Sequence, residues 1–518
     1  MDTCVLANPE PFSESVLWQL QTRYFASRGV EAWSGGEVPF YITSNPAIAN
    51  SYAQVVWAFR QDRQRLATSE MPLTICELGG GPGAFAFFFI RRMIELCRQA
   101  GAEPAKVFRY VLTDAADANL AAWRRHPLFS DWLASGLLDI AHFDITRGHA
   151  LTPQISGQSL DRLAEPLAVI ANYLFDSIPQ DLFYLKEGRS RRCLLSLALD
   201  QDPSQFDEAQ WMEEADYQFH YETISSQPYD DPDLSALFAH YLAALTDTHV
   251  LVPAPGWRGL QRLAASSQGG MLLLAADKGP ATLKALDHES VPYIQSHGSV
   301  SLPVNIHALR WLAAHNGGDS LAASDACRKF TIFALLQLPD SARYQATRAA
   351  FAQHVEETSP GDFCTVSRVL RNAADQMTIE DILAYMRLGR YDSHQFKFFL
   401  PRLMALADEM TEEEKDAVAE TVEKVWDVYF PLGEEFDLAY HLGCLLYEMD
   451  YYPEALRYFS RSRNLYGAYT GTLFNIASCH WMMGSAEQAA PLLERVLQGD
   501  NENVEARELL RTLKAAVA

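Results

Sequence analysis

The run Thr74-Ile75-Cys76-Glu77-Leu78-Gly79-Gly80-Gly81-Pro82-Gly83 joins an apolar strand ending in an acid to a glycine loop, and a long helix follows from Ala84. Glycines let a backbone turn sharply and approach a ligand with no Cβ in the way, and a helix N-terminus offers unpaired N–H groups to an anion. A nucleotide cofactor bearing a carboxylate suits such a loop. S-adenosylmethionine is the reading adopted, with Gly79, Gly81 and Gly83 around its amino-acid part and Glu77 supporting the loop. NAD is the rival, because Gly79, Gly81 and Ala84 satisfy a loose G-x-G-x-x-A pattern. That fingerprint expects its ribose acid about 20 residues on. The next strand, Phe108 to Thr113, ends in Asp114, later than the rule places it, which favours S-adenosylmethionine with Asp114 accepting from the ribose hydroxyls. Asp144, after a further strand in Phe143-Asp144-Ile145, is expected near the adenine.

A second chemical signal is Val169-Ile170-Ala171-Asn172-Tyr173-Leu174-Phe175-Asp176-Ser177-Ile178-Pro179, in which a strand delivers an amide and then a carboxylate before proline redirects the chain. Taken alone, Asn172 is as good a turn former, and Asp176 as good a helix cap. Transfer of a methyl group from a sulfonium is an in-line displacement, so an enzyme must align donor and acceptor, exclude water and remove any proton the acceptor carries. Asn172 is expected to contact donor or acceptor, and Asp176 to orient or deprotonate the acceptor.

Several segments together resemble the MidA-like methyltransferases, a family that includes the mitochondrial complex I assembly factor that methylates arginine. Thr43-Ser44-Asn45-Pro46 is similar to the family's Thr-Ser-Pro element with one residue inserted, and Glu77 to Gly83 to its glycine loop. Asn172 to Pro179 resembles its N-E-x-F-D-A-L-P signature, Asp277-Lys278-Gly279 its D-Y-G, and Val304-Asn305-Ile306 its V-x-F segment. The resemblance spans about residues 35 to 310. It implies a Rossmann-like class I methyltransferase with a doubly wound, mostly parallel sheet, Ser44 at the cofactor, and Tyr173, Phe175, Asp277 and Lys278 at the substrate. Two positions depart: the family glutamate is Tyr173 here and the tyrosine of D-Y-G is Lys278. The first removes a carboxylate that would orient a guanidinium.

Strand-like runs alternating with helices between Leu73 and Gly188 argue independently for a doubly wound parallel sheet, with Gly79, Asp114, Asp144 and Asn172 all at strand carboxyl ends. Residues 1–70 read as a helical lead-in closing the cofactor site, and 71–320 as the methyltransferase domain with a polar, aromatic-rich insertion or cap at about 189–248. Residues 321–430 read as a helical connecting domain and 431–518 as all-α repeats. In that last region Gly443, Ala455 and Phe459 are followed 34 residues later by Ala477, Ala489 and Leu493, with Tyr447 and Trp481 in the same register. Small residues at helix crossings with this period are the tetratricopeptide pattern.

The 518 residues carry a formal charge of −24 and 48% hydrophobic content. Such acidity disfavours nucleic acid, since phosphate binding needs clustered Lys and Arg. No apolar run reaches the roughly 18 residues of a membrane span. Eight cysteines are scattered without zinc or disulfide spacing, so no metal is expected and a cytoplasmic location with reduced thiols is. The expected activity is methylation of a protein or peptide side chain recruited by the repeats. The alternatives are a cofactor-binding assembly protein without turnover, and a small-molecule methyltransferase whose repeats form a homodimer.

Overall fold

The computed structural model describes residues 4–67, 71–199, 208–323 and 330–517. Cys327 and the chain start at 1–3 lie outside them. The chain divides into two compact units, Met1–Phe363 and Cys364–Ala518. In chain order the strands are β1 (Cys4–Pro11), β2 (Leu73–Glu77), β3 (Phe108–Asp114), β4 (Leu138–His142), β5 (Leu167–Asn172), β6 (Asp181–Lys186) and β7 (Arg189–Leu199). They continue as β8 (Asp216–Thr223), β9 (Asp247–Val252), β10 (Met271–Asp277), β11 (Gln295–His297), β12 (Ser299–Ser301), β13 (Asp319–Ala322) and β14 (Thr331–Gln337).

The main sheet has the order β13-β14-β10-β5-β2-β3-β4. Neighbours from β10 to β4 run parallel, while β14 runs against both β10 and β13. β2 and β10 are buried along their whole length, as unbroken apolar runs must be when helices cover both faces of a parallel sheet. On one face Cys76, Val111, Val169 and Leu273 share a core with Phe238, Trp257 and Leu309, which come from helices Pro232–Ala244, Ala254–Ala265 and Ile306–His315. On the other, Phe89 of helix Ala84–Gln99 meets the Tyr110 ring at 5.5 Å, and Phe59 of helix Pro46–Ala67 stacks on Tyr344 at 5.4 Å.

The second sheet adds two features to the expected insertion and lead-in. The segment at 189–248 is part of an antiparallel sheet, β1-β7-β6-β9 with β8 paired to β7, which starts at Asp181 and takes its edge strand β1 from the lead-in expected to be helical. Strand alternation makes this sheet two-faced. Leu182 and Leu251 face a core built with Leu17, Trp18 and Leu20 of helix Val16–Arg28, whereas Phe183, Leu185, Val250 and Val252 face the core of the main sheet. Gln21 fixes that helix to the β11–β12 hairpin like a missing strand: its Nε2 donates to the Val300 carbonyl at 2.7 Å and its Oε1 accepts from the Val300 N–H at 2.8 Å.

A third feature concerns the expected domain end at 320. β13 and β14 extend the main sheet beyond it, and the first unit runs to Phe363. Thr331-Ile332-Phe333-Ala334-Leu335-Leu336-Gln337 is a short apolar run, and periodicity alone does not separate a buried strand from a helix segment.

The second unit is helical. Capping boxes at Thr378/Asp381 and Thr411/Glu414 start helices Ile379–Leu388 and Glu412–Asp427. Five helices close the chain: Leu438–Glu448, Tyr452–Tyr466, Thr470–Met482, Ala486–Gly499 and Val504–Val517, each packed on the one before it. Gly443 lies where the first two cross, and a Cβ there would sit 2.7 Å from Cε1 of Phe459. Ala477, Ala489 and Leu493 share a core with Ala506 and Leu513 of the last helix. Among the described residues no helix is long and apolar enough to cross a membrane.

Gly443→Val forces two branches against a buried ring. It is expected to cost about 1–3 kcal/mol and to lower the thermal midpoint of the second unit by several degrees, read by differential scanning calorimetry.

Candidate functional site

In open α/β sheets ligands collect beyond the strand carboxyl ends, where the strand order reverses. Here the chain runs outward from β2 to β3 and β4, then returns to β5 on the opposite side of β2. A cavity of about 610 Å³ lies at that point.

Its floor is the glycine loop, stitched to the strands on either side. Leu78 N–H donates to the Ile170 carbonyl and Gly80 N–H to the Thr113 carbonyl, both at 2.8 Å. The Gly81 peptide is held at both ends: its N–H donates to Asp114 Oδ2 at 2.9 Å, and its carbonyl accepts from Trp123 Nε1 at 3.1 Å. Gly79 and Gly81 have φ of 65° and 52°, and a Cβ on either would come within 3.1 Å of a wall side chain, Leu174 or Trp33. The loop therefore faces the cavity as bare backbone. Trp33, stacked on Phe25 at 5.4 Å, stands over Gly81.

Five carboxylates line the cavity, Glu14 from the lead-in and Glu77, Asp114, Asp144 and Asp176 from the main-sheet segments. Glu77 Oε2 accepts from the Tyr110 hydroxyl at 2.7 Å. Burial pushes its carboxyl up to about 8, the Tyr110 bond pulling it back and Asp114 adding to the rise. Asp114 is also raised by burial, against the Ala116 and Gly81 N–H groups. Asp144 closes a turn on Thr146, accepting from its N–H at 2.9 Å and its hydroxyl at 2.6 Å, and pairs with Arg147 at 3.1 Å. Asp176 is buried and raised, with Lys278 opposing the rise.

The second motif forms the facing wall. Asn172, at the end of β5, accepts from the buried Tyr52 hydroxyl at 2.9 Å and donates to the Thr43 carbonyl at 3.2 Å, which ties the strand to the lead-in. Tyr173 has φ 48°, a conformation that costs a bulky side chain about 1–3 kcal/mol and clusters at functional sites. The Lys278 ammonium lies 5.4 Å from the centroid of its ring.

Of the residues expected from sequence, Ser44, Glu77, Gly79, Gly81, Asp114, Asp144, Asn172, Tyr173, Asp176 and Lys278 line this one cavity. Gly83, Phe175 and Asp277 do not. Gly83, φ 83°, precedes the helix and packs toward Trp123 and Phe129. Phe175 is fully buried in the main core. Asp277 accepts from the Phe175 and Lys278 N–H groups at 3.2 Å each, so it shapes the loops rather than the wall; burial and the nearby Asp176 raise its carboxyl. Sequence reasoning missed Trp18, Gln21, Trp33 and Phe40, the aromatic and amide wall given by the lead-in. It also missed the Tyr52 anchor. None of these carries a local motif.

No family model matches the chain, and no curated protein matches it. Among solved structures it is similar to a COG1565 superfamily member from Burkholderia thailandensis bound to S-adenosyl-homocysteine, at 14% identity and TM-score 0.43, over 67% of this chain and 91% of that one. It is also similar to an O-methyltransferase family protein from Burkholderia thailandensis, at 9% identity and TM-score 0.24, over 62% of this chain and 71% of that one. A third is the CurJ carbon methyltransferase, at 9% identity and TM-score 0.27, over 56% of this chain and 54% of that one. At these scores the likenesses carry no chemistry, which has to come from the site itself.

The raised Glu77 carboxyl makes stability depend on pH. Between its ordinary range and about 8 the unfolded chain has released a proton that the folded chain keeps, so stability falls as pH rises through that window. The slope is about 1.4 kcal/mol per pH unit. Glu77→Gln retains an acceptor for Tyr110 and removes this proton, so urea unfolding from pH 5 to pH 8 is expected to show a shallower decline than wild type. Asp114, Asp176 and Asp277 contribute the same sign in both proteins.

Proposed function

We propose that this chain is an S-adenosylmethionine-dependent methyltransferase of the MidA-like kind, acting on a protein or peptide side chain recruited by tetratricopeptide-like helices at its C-terminal end. The observation that carries the reading is the bare glycine loop, its Gly81 amide held by Asp114, at the floor of a cavity whose facing wall presents Asn172 and Asp176. The loop fits the amino-acid part of the cofactor because Gly79 and Gly81 leave no side chain between backbone and cavity. When bound, the cofactor supplies an electrophilic methyl group on a sulfonium.

The chain's own residues then have distinct work. Asp114 has lone pairs left to accept from ribose hydroxyls, and Asp144 serves the adenine side. Asn172 has one orientation, set by Tyr52 and Thr43, and presents a fixed dipole. Asp176 takes the acceptor's proton: burial raises its carboxyl toward the range in which a general base works best near neutral pH. The repeat reading is supported by the close Gly443–Phe459 crossing and by Ala477, buried at the equivalent position of the next helix pair.

A second reading, a cofactor-binding protein without turnover, is favoured by Lys278 resting on the Tyr173 ring where the resemblance has a tyrosine and a glutamate. Incubating the purified chain with radioactive methyl donor and cell lysate separates the two. Label in a protein band is expected, reduced by about 10²- to 10⁴-fold in Asp176→Asn with cofactor binding retained. Cofactor binding with no labelled product supports the second reading, and label confined to small molecules assigns the acceptor to a metabolite.

A further inference from the structure

The second unit contains a cavity of about 770 Å³ beside the start of helix Leu438–Glu448 and the turn before helix Thr470–Met482. Three tyrosines, Tyr440, Tyr466 and Tyr469, and three carboxylates, Glu434, Glu435 and Asp437, contribute to its wall, which among the described residues includes no Lys, Arg or His. Tyr469 is 66% exposed and Leu465 48%, an unusual display of large apolar groups beside so much charge.

Two of the carboxylates are held in place by neutral donors. Glu434 accepts from the Tyr429 hydroxyl at 2.9 Å and the Leu432 N–H at 2.7 Å. Asp437 accepts from the Tyr440 N–H at 2.8 Å and the Ser462 hydroxyl at 2.6 Å. Every one of these donors is neutral, and the charge is offset in part only at Glu434, by the nearby Lys397 ammonium. Outside the cavity wall, the Lys397 ammonium lies 6.0 Å from the centroid of the Phe436 ring, and the Glu434 charge offsets part of its burial cost. Two helix N-termini open nearby and would attract an anion, but Asp437 caps the first, and three carboxylates outweigh their partial charges.

We propose that this cavity binds a basic peptide segment of another protein through lysine or arginine side chains. Their ammonium or guanidinium groups meet the carboxylates and tyrosine faces, and their aliphatic stems lie along Leu465 and Tyr469. The proposal is independent of what the first unit catalyses.

The test is fluorescence anisotropy on the full chain with three labelled peptides, identical Gly-Ser backbones carrying two lysines, two glutamines or two glutamates. The lysine peptide is expected to bind at least about tenfold more tightly than the glutamine peptide, and the glutamate peptide not at all. Tyr469→Ala and Glu435→Gln alter exposed residues and should each weaken lysine-peptide binding severalfold with an unchanged thermal midpoint, whereas Glu505→Gln, exposed elsewhere in the unit, should not. Equal binding of lysine and glutamine peptides, or no binding, overturns the proposal. So does a loss in Glu505→Gln as large as in Glu435→Gln, which would mark a diffuse acidic surface.

Discussion

The hydrogen bond from the Gly81 N–H to the Asp114 carboxylate is the constraint on which the site depends. Its origin is the parallel register of β2 and β3, which pairs Leu73 with Phe108 and Glu77 with Leu112. Asp114 therefore falls level with Gly79, where its carboxylate can reach one turn further into the loop. A buried carboxylate must find donors, and at this position the donors are the Gly81 and Ala116 amides. One side chain thus fixes the loop, marks the cavity edge and places a negative group where the strand order reverses. Without it the loop would keep its flexibility and lose its aim.

The antiparallel sheet supplies the rest of the enclosure. Because β6 and β9 alternate, the sheet adheres to the main core through Phe183 and Val250 while its other face carries the helix that brings Trp18 and Gln21 to the cavity. The lead-in is anchored twice more, by Tyr52 and by the Thr43 carbonyl, both on Asn172. Asn172 is accordingly a junction as well as a wall residue: a change there disturbs the position of the lead-in together with the chemistry. Asp277 plays a comparable part from beneath, its oxygens holding the backbone that presents Asp176 and Lys278.

Much of this was legible in the sequence, for physical reasons that also explain the failures. Buried parallel strands are unbroken apolar runs between glycine and acid signals, so β2, β3, β5 and β10 announce themselves, and Glu77 and Asp114 at the ends of β2 and β3 line the cavity. Ten of the thirteen expected site residues line the cavity. Phe175 and Asp277 misled because a motif shows which residues travel together and not which way each side chain turns: Phe175 turns into the core and Asp277 toward backbone amides. β1 and β14 escaped because an edge strand and a short apolar run have no periodicity of their own. Trp33 reaches the glycine loop, and Tyr52 reaches Asn172, only through tertiary packing, which no local pattern encodes.

The central claim, that the switch-point cavity is an S-adenosylmethionine site, is most directly tested by isothermal titration calorimetry of the full chain with S-adenosylhomocysteine and, separately, with NAD. Saturable binding of S-adenosylhomocysteine, weakened by about tenfold or more in Asp114→Ala, and no binding of NAD are expected. No heat with S-adenosylhomocysteine, equal affinity in Asp114→Ala, or saturable binding of NAD would contradict the account.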